Sequence, residues 1–232
     1  MAIEIVGLDA DDTLWHSEGQ FHVSEQRFRE LMAPWVDDEE LLSSTLLQTE
    51  RRNLELFGYG AKGFTLSMIE TALALTDHRV DGRRIEQIIG FGKEILAHPV
   101  ELIEGVLETV AGLAERYRLV LVTKGDLFHQ ESKIAASGLG DLFDQVDVVS
   151  EKDAATYART LLRIGGSADR FCMVGNSLKS DVLPAVELGA YGIHVPYHLT
   201  WALEHAEADE HPHWRTAASI AEVPGIIEEW GG

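Results

Sequence analysis

One cysteine occurs in 232 residues, so no disulfide can form within the chain. That residue, Cys172, lies in the apolar run 171–174, where burial as a small hydrophobe accounts for it better than nucleophilic use. Positive charge is scarce: 19 Lys and Arg face 39 Asp and Glu, for a formal net charge of -20. Such a surface repels nucleic-acid phosphates and anionic lipid headgroups alike. Neither nucleic acid nor a membrane is therefore an expected partner. Uninterrupted apolar runs are also short, none approaching the roughly 18 residues that a spanning helix requires, and no charged-then-apolar leader is expected at the start. A reducing cytoplasm fits these absences.

Hydrophobic residues make up 45% of the chain and charged residues 25%, which argues against disorder or a fibre. The length suits one domain, or one domain carrying an insertion. Acidic residues are spread along the sequence, at 37–40 and again at Glu204, Glu207, Asp209 and Glu210. The expected reading is a solvated surface that identifies no substrate. His205, His211 and His213 interleave with the later acids; a metal site is one reading, but the irregular spacing and expected surface position favour an incidental tract.

Short apolar runs that end in small or polar residues alternate with helical patterns, the signature of a parallel sheet with crossover helices. Strands are expected at 3–8, 119–123, 146–149, 171–175 and 192–195. Between the first two, residues 15–100 repeat apolar positions at helical spacing, as in Leu41, Leu42, Thr45 and Leu46, then Met68, Ile69, Ala72 and Leu75. The expected architecture is a doubly wound, Rossmann-like α/β core (1–14 and 101–232) with a helical cap (15–100) inserted over the sheet's carboxyl edge. Gly105 introduces a core helix carrying Val106, Val110, Leu113 and Tyr117. Asp153 is placed as an N-cap, Gly165 or Gly166 as that helix's end, and Ser180 or Asp181 as the start of a helix stopping at Gly189. No internal repeat or low-complexity linker is present.

Ligands of such sheets bind beyond the carboxyl ends of the strands. The first strand delivers Asp9, Asp11 and Asp12 within four residues. Two unit charges about 4 Å apart cost roughly 4 kcal/mol at an effective dielectric of about 20, so a compensating cation is expected. Hard oxygen donors suit magnesium better than zinc. Alone, the acids are equally an acidic turn. Beyond the second strand, Thr123, Lys124 and Gly125 offer a hydroxyl, an ammonium and backbone amides for a phosphoryl oxygen. Beyond the third comes Lys152, and beyond the fourth the oxygen donors Asn176 and Asp181.

In this order, the residues resemble the haloacid dehalogenase superfamily, in its phosphatase branch with a helical cap after the first strand. Asp9-x-Asp11-x-Thr13-Leu14 resembles the first motif of that family, Thr123 the second, Lys152 the third, and Gly175-Asn176 through Asp181 the fourth. The resemblance implies that Asp9 attacks phosphorus, and that Asp11 protonates the leaving oxygen and then deprotonates the hydrolytic water. It also implies magnesium held by Asp9, the Asp11 carbonyl, Asn176 and Asp181, with Thr123 and Lys152 neutralising the phosphoryl oxygens of a small phosphorylated substrate.

Two positions depart from the pattern. Asn176 stands where the family has Asp, retaining an amide oxygen without the charge. Asp12 stands where Gly is common; it reads as a cap for the following turn, with an extra place in the metal shell as the other reading. In the cap, Arg51, Arg52, Tyr59, Lys62 and Phe64 surround a glycine-rich stretch at 58–63. Two readings stand: a basic, aromatic loop that contacts the substrate beyond its phosphate, with Arg52 bound to it, or ordinary surface charge. Trp15 either lines the cap entrance or packs as a hinge aromatic. Lys179 is expected in solvent, and Gln130 and Lys133 receive no chemistry. A dehalogenase needs no acid at Asp11. A phosphomutase is not separated from a phosphatase by sequence. A receiver-like phosphoacceptor module is shorter and lacks the insertion, and a catalytically weak phosphate-binding protein is the remaining alternative.

Overall fold

The structure, a computed structural model, describes residues 2–231. Strand β1 (Ile5–Leu8) leads into four helices, α1 (Glu18–Met32), α2 (Glu39–Phe57), α3 (Ala61–Leu75) and α4 (Gly82–Ala97). The chain returns through α5 (Val106–Ala114) and then alternates: β2 (Arg118–Lys124), α6 (Leu127–Ser137), β3 (Gln145–Val149), α7 (Ala154–Ile164), β4 (Phe171–Gly175), α8 (Leu183–Glu187) and β5 (Tyr191–His194). It finishes with β6 (Trp214–Thr216) and α9 (Val223–Gly231). Among the described residues the strands form one six-stranded sheet in the order β3-β2-β1-β4-β5-β6, parallel at every pairing. The α/β architecture with a helical insertion after β1 is the one the sequence predicts.

Alternation along each strand separates the two faces of the sheet. Val6, Leu8, Leu119, Leu121, Cys172 and Val174 pack with Val106 and Leu113 of α5, Ile134 of α6 and Ile227 of α9. Their neighbours Ile5, Val120, Val122, Phe171 and Met173 pack on the opposite face with Tyr157 and Leu161 of α7 and Ala185 of α8. Burying each such aliphatic side chain stabilises the fold by about 1.5–3 kcal/mol. Cys172 is fully buried, and burial pushes its thiol far above the ordinary value, as expected of a structural cysteine.

The chain divides into two compact units, one taking residues up to His16 and from Val100 onward, the other Ser17–Pro99. The helical unit has its own core, in which Phe28, Leu46, Met68, Ile88, Phe91 and Ile95 are buried together. Asp38 and Asp81 cap α2 and α4, each accepting two backbone N–H groups of the first turn. In the sheet unit, the segments leading to and from the insertion lie side by side: His16 N donates to Glu101 O at 3.0 Å and Ile103 N to Leu14 O at 3.0 Å. Trp15 forms an antiparallel bridge with Leu102 and joins the sheet unit's core, which makes it a packed aromatic.

Three local differences from the sequence reading have physical causes. β6 lies in the acidic, histidine-rich stretch and is only three residues long, too short for an alternating pattern. Tyr117 falls past the end of α5, whose cap is Glu115. The turn expected to open at Ser180 or Asp181 starts earlier, as a π-helical turn over Leu178–Val182 running into α8. Ser177 caps it, its side chain accepting from Ser180 N. By contrast, Asp153 caps α7 by accepting from Thr156 N at 2.6 Å, and Gly165 ends it in the left-handed conformation.

Candidate active site

The strand order reverses at β1, which lies between β2 and β4, so the crevice beyond their carboxyl ends is the position where such sheets bind ligands. Leu8 is in register with Leu121 and with Val174. Asp9, Thr123 and Asn176 therefore leave the sheet within one residue of the same level. Asp9 N donates to Val174 O at 2.9 Å, extending the β1 ladder by one step and fixing the Asp9 backbone.

The Lys152 ammonium is buried between two carboxylates: it pairs with Asp9 Oδ1, and Asp181 Oδ1 lies 2.6 Å away. Thr13 Oγ1 donates to Asp9 Oδ2 at 2.8 Å and accepts from Asn176 N at 3.0 Å, with Asn176 Oδ1 at 3.4 Å from the same hydroxyl. Asp9, Lys152, Asn176 and Asp181 thus meet in one place, as the motif order predicts. Gly175 makes that approach possible. A Cβ there would stand 2.2 Å from Asp181 Oδ2. Asp12 has φ of 62°, the left-handed region that Gly enters freely and Asp tolerates. Its backbone conformation is that of a position where glycine is also at home.

Burial is the largest influence on Asp9 and pushes its carboxyl from 3.8 up to about 6; Lys152 opposes the shift, and the charges of Asp181 and Asp11 add to it. For Lys152, burial disfavours the ammonium, but Asp181 and Asp9 more than offset it and raise its pKa above the ordinary lysine value. Two carboxylates therefore share one cation, and the pair keeps an excess negative charge. Among the described residues no group of three or more His, Cys, Asp or Glu side chains is arranged to hold a metal. The available donors are instead two carboxylates and the Asn176 amide oxygen, a hard, oxygen-only set that fits a magnesium ion and would relieve that excess.

Asp11 is held differently. Lys133 Nζ lies 2.5 Å from its Oδ1 and 2.8 Å from its Oδ2, Trp15 Nε1 donates to Oδ1 at 2.7 Å, and Gln130 Nε2 donates to Oδ2 at 2.9 Å. Burial alone would raise the Asp11 carboxyl, but Lys133, then Gln130 and Trp15, bring it below the ordinary range. Gln130 Nε2 also donates to Lys124 O at 2.6 Å, which fixes the amide's orientation, and its Oε1 is buried with no hydrogen-bond partner. Gly125, at φ of 135°, leaves room for that amide, since a Cβ there would stand 2.7 Å from Gln130 Nε2. Lys133 and Gln130 sit on α6, three residues apart on one helix face. That spacing is the only sequence signal they carried.

Thr123 is buried at the end of β2, its hydroxyl 3.4 Å from Lys124 O. The Lys124 ammonium is directed to Glu204 Oε1 at 2.6 Å and Ser180 Oγ at 2.8 Å, with Glu151 at 3.3 Å. Glu204 is not the solvated acid its composition suggests, because only 15% of its side chain is exposed. Lys179 is exposed, yet its Nζ donates to Leu203 O at 2.6 Å. Within the helical unit, Arg52 Nη2 pairs with Glu70 at 2.8 Å.

An acidic strand end thus pairs with a buried lysine at the carboxyl edge of a parallel sheet that carries a helical insertion after β1. Residues 3–189 match the model of haloacid dehalogenase-like hydrolases, and the chain belongs to that family. A haloacid dehalogenase-like family hydrolase from Xanthomonas campestris is 46% identical, with 99% of this chain and 92% of that one covered at a TM-score of 0.90. A 2-haloacid dehalogenase from Pseudomonas syringae pv. Tomato DC3000 is 21% identical, with 98% and 99% covered, at 0.64. The putative HAD-hydrolase YfnB from Bacillus subtilis, bound to magnesium, is 14% identical, with 98% and 99% covered, at 0.67. No curated protein matches the sequence. Among the described residues, no helix is long and apolar enough to cross a membrane.

Proposed function

We propose that this hydrolase is a magnesium-dependent phosphatase acting on a small phosphorylated metabolite through an aspartyl-phosphate on Asp9. The observation that carries the reading is the pairing of two different carboxylates at one strand end. Asp9 lies against Lys152 in the donor cluster, and Asp11, two residues on, is held separately by Lys133. Held by separate partners, the two carboxylates are free to take separate tasks, one as nucleophile and one as proton carrier. A dehalogenase uses the first carboxylate and has no task for the second.

In the first half-reaction an Asp9 oxygen forms a bond to phosphorus while the bond from phosphorus to the ester oxygen breaks, and protonated Asp11 gives its proton to that oxygen. In the second, Asp11 as carboxylate takes a proton from the water that attacks phosphorus, releasing inorganic phosphate and free Asp9. The Thr13 hydroxyl, donating to Asp9 Oδ2, restricts rotation of the nucleophile. Lys152 neutralises charge on Asp9 and on the oxygens being transferred, and the Thr123 hydroxyl and the following amides hold the remaining phosphoryl oxygens. Asp9, Asp181, Asn176 and the Asp11 carbonyl would hold magnesium, which supplies further positive charge at the phosphoryl group.

The test is a magnesium-supported screen of phosphorylated metabolites and a generic aryl phosphate, with Asp9→Asn as the blank and halide release from 2-haloacids in parallel. Phosphate release that needs magnesium and is lost in Asp9→Asn is expected. Halide release without phosphate release would reverse the assignment, and sugar-phosphate isomerisation in place of net release would make the protein a mutase.

A further inference from the structure

Glu204 follows β5, outside every motif that places the reacting groups, yet it contacts two of the strand ends that bear them. Its Oε1 accepts from Lys124 Nζ, at the end of β2. Its Oε2 accepts from Ser177 Oγ at 2.7 Å and from Ser180 Oγ at 2.5 Å, both in the turn after β4. The two serines are themselves linked, because Ser177 Oγ accepts from Ser180 N at 3.1 Å while donating to Glu204. In the same turn, Ser177 N donates to Asp181 Oδ2 at 2.9 Å, so the hydroxyl that Glu204 orients and the amide that orients Asp181 belong to one residue. Lys179 Nζ adds a bond to the Leu203 carbonyl. Burial alone would raise the Glu204 carboxyl, but Lys124 and then the two serines bring it below the ordinary range.

We propose that Glu204 is a positioning residue that fixes the turn at 176–181 for cation binding, and that the Lys124 ammonium acts through Glu204, not on the phosphate of the substrate. This rests on the reading of the site as a magnesium-dependent phosphohydrolase. A largely buried carboxylate with three donors holds a turn in one conformation, and the spacing of Asn176 and Asp181 depends on that conformation. The turn is π-helical over Leu178–Val182, a geometry of poorer intrinsic stability that persists where neighbours hold it. Charge balance agrees: with Glu204 at 2.6 Å, the Lys124 ammonium is already neutralised.

The experiment compares Glu204→Gln, Lys124→Met and the double variant with the unaltered protein. One readout is thermal stabilisation by magnesium chloride without substrate, and the other is KM and kcat for an aryl phosphate at saturating magnesium. Each single variant is expected to raise the magnesium concentration for half-maximal stabilisation several-fold and to leave KM unchanged. The double variant should be no worse than the weaker single, because both act through one pair. Should a single charge variant unfold, Ser177→Ala removes one donor to Glu204 without unpairing a charge and is expected to weaken the magnesium response in the same direction. A Lys124→Met protein with raised KM and an intact magnesium response would place Lys124 on the substrate and overturn the proposal. Multiplying effects in the double variant, or an unaltered magnesium response in every variant, would overturn it as well. If the unaltered protein itself shows no stabilisation by magnesium, the reading of the cation site fails first.

Discussion

Lys133 places its ammonium astride both oxygens of Asp11, 2.5 and 2.8 Å away. This pairing between the end of β1 and helix α6 keeps the carboxyl below its ordinary range, against the effect of burial. In the proposed mechanism the ionised form suits the water-activating half-reaction, and the protonated form needed by the leaving oxygen is disfavoured. Lys133→Met removes the stabilising charge, so the Asp11 pKa rises and the pH–kcat profile moves to higher pH. A pH series on an aryl phosphate measures this, and a profile that stays in place would separate Lys133 from proton transfer. Asp11→Asn, which cannot carry a proton at all, should lose about 10²–10⁴-fold in kcat.

Asp9 gives a signed prediction for stability. Its folded pKa is about 6 against an ordinary 3.8, so between those values the folded state binds more protons than the unfolded chain. Stability from this group therefore falls as pH rises through that window, and above about pH 6 the full cost of ionised Asp9 is present. Asp9→Asn removes the charge. In magnesium-free buffer with chelator, that variant should melt higher than the parent at neutral pH and lose its advantage as pH falls toward 4. Equal melting temperatures at both ends of the range would refute the electrostatic account.

Lys152→Met has the opposite sign. It leaves Asp9 and Asp181 buried without their shared cation, a change that costs about 3–5 kcal/mol when a buried pair is broken. Denaturant unfolding at neutral pH should register that loss. As pH falls below about 6, where Asp9 takes up a proton, the deficit should shrink.

Gly175→Ala tests the approach of the β4 end to Asp181. The added methyl would stand 2.2 Å from Asp181 Oδ2, so the carboxylate must leave its contact with Lys152. A misplacement of about 1 Å at a reacting centre is enough to lower the rate about 100-fold. The sheet should persist, and far-ultraviolet circular dichroism should be unchanged while turnover is lost.

The sequence made five of the six described strands legible, because each is an apolar run ending in a small or polar residue, and strand ends are where reacting groups stand. Asp9, Lys152, Asn176 and Asp181 were identified in that way, and the structure brings them together. Lys133 and Gln130 were passed over because a helix face carrying a lysine and a glutamine looks like any solvated helix. Only the fold reveals that α6 turns that face to Asp11. Glu204 was still less legible. It sits among Glu207, Asp209 and Glu210, and a single acid in an acidic run has no spacing to distinguish it. The edge strand β6 escaped for a similar reason, since three residues cannot display a period.

The paired segments at 14–16 and 101–103 determine what happens to the chain if the helices between them are exchanged. His16 and Glu101 are already hydrogen-bonded neighbours, so the ring of chain spanning residues 17–99 starts and finishes at a single doorway in the sheet unit. A longer or shorter filler alters the closure entropy only logarithmically. A hairpin of about two to five residues is enough to reseal the doorway. The strand order of the sheet thus sets no fixed length for the chain carried between residues 17 and 99.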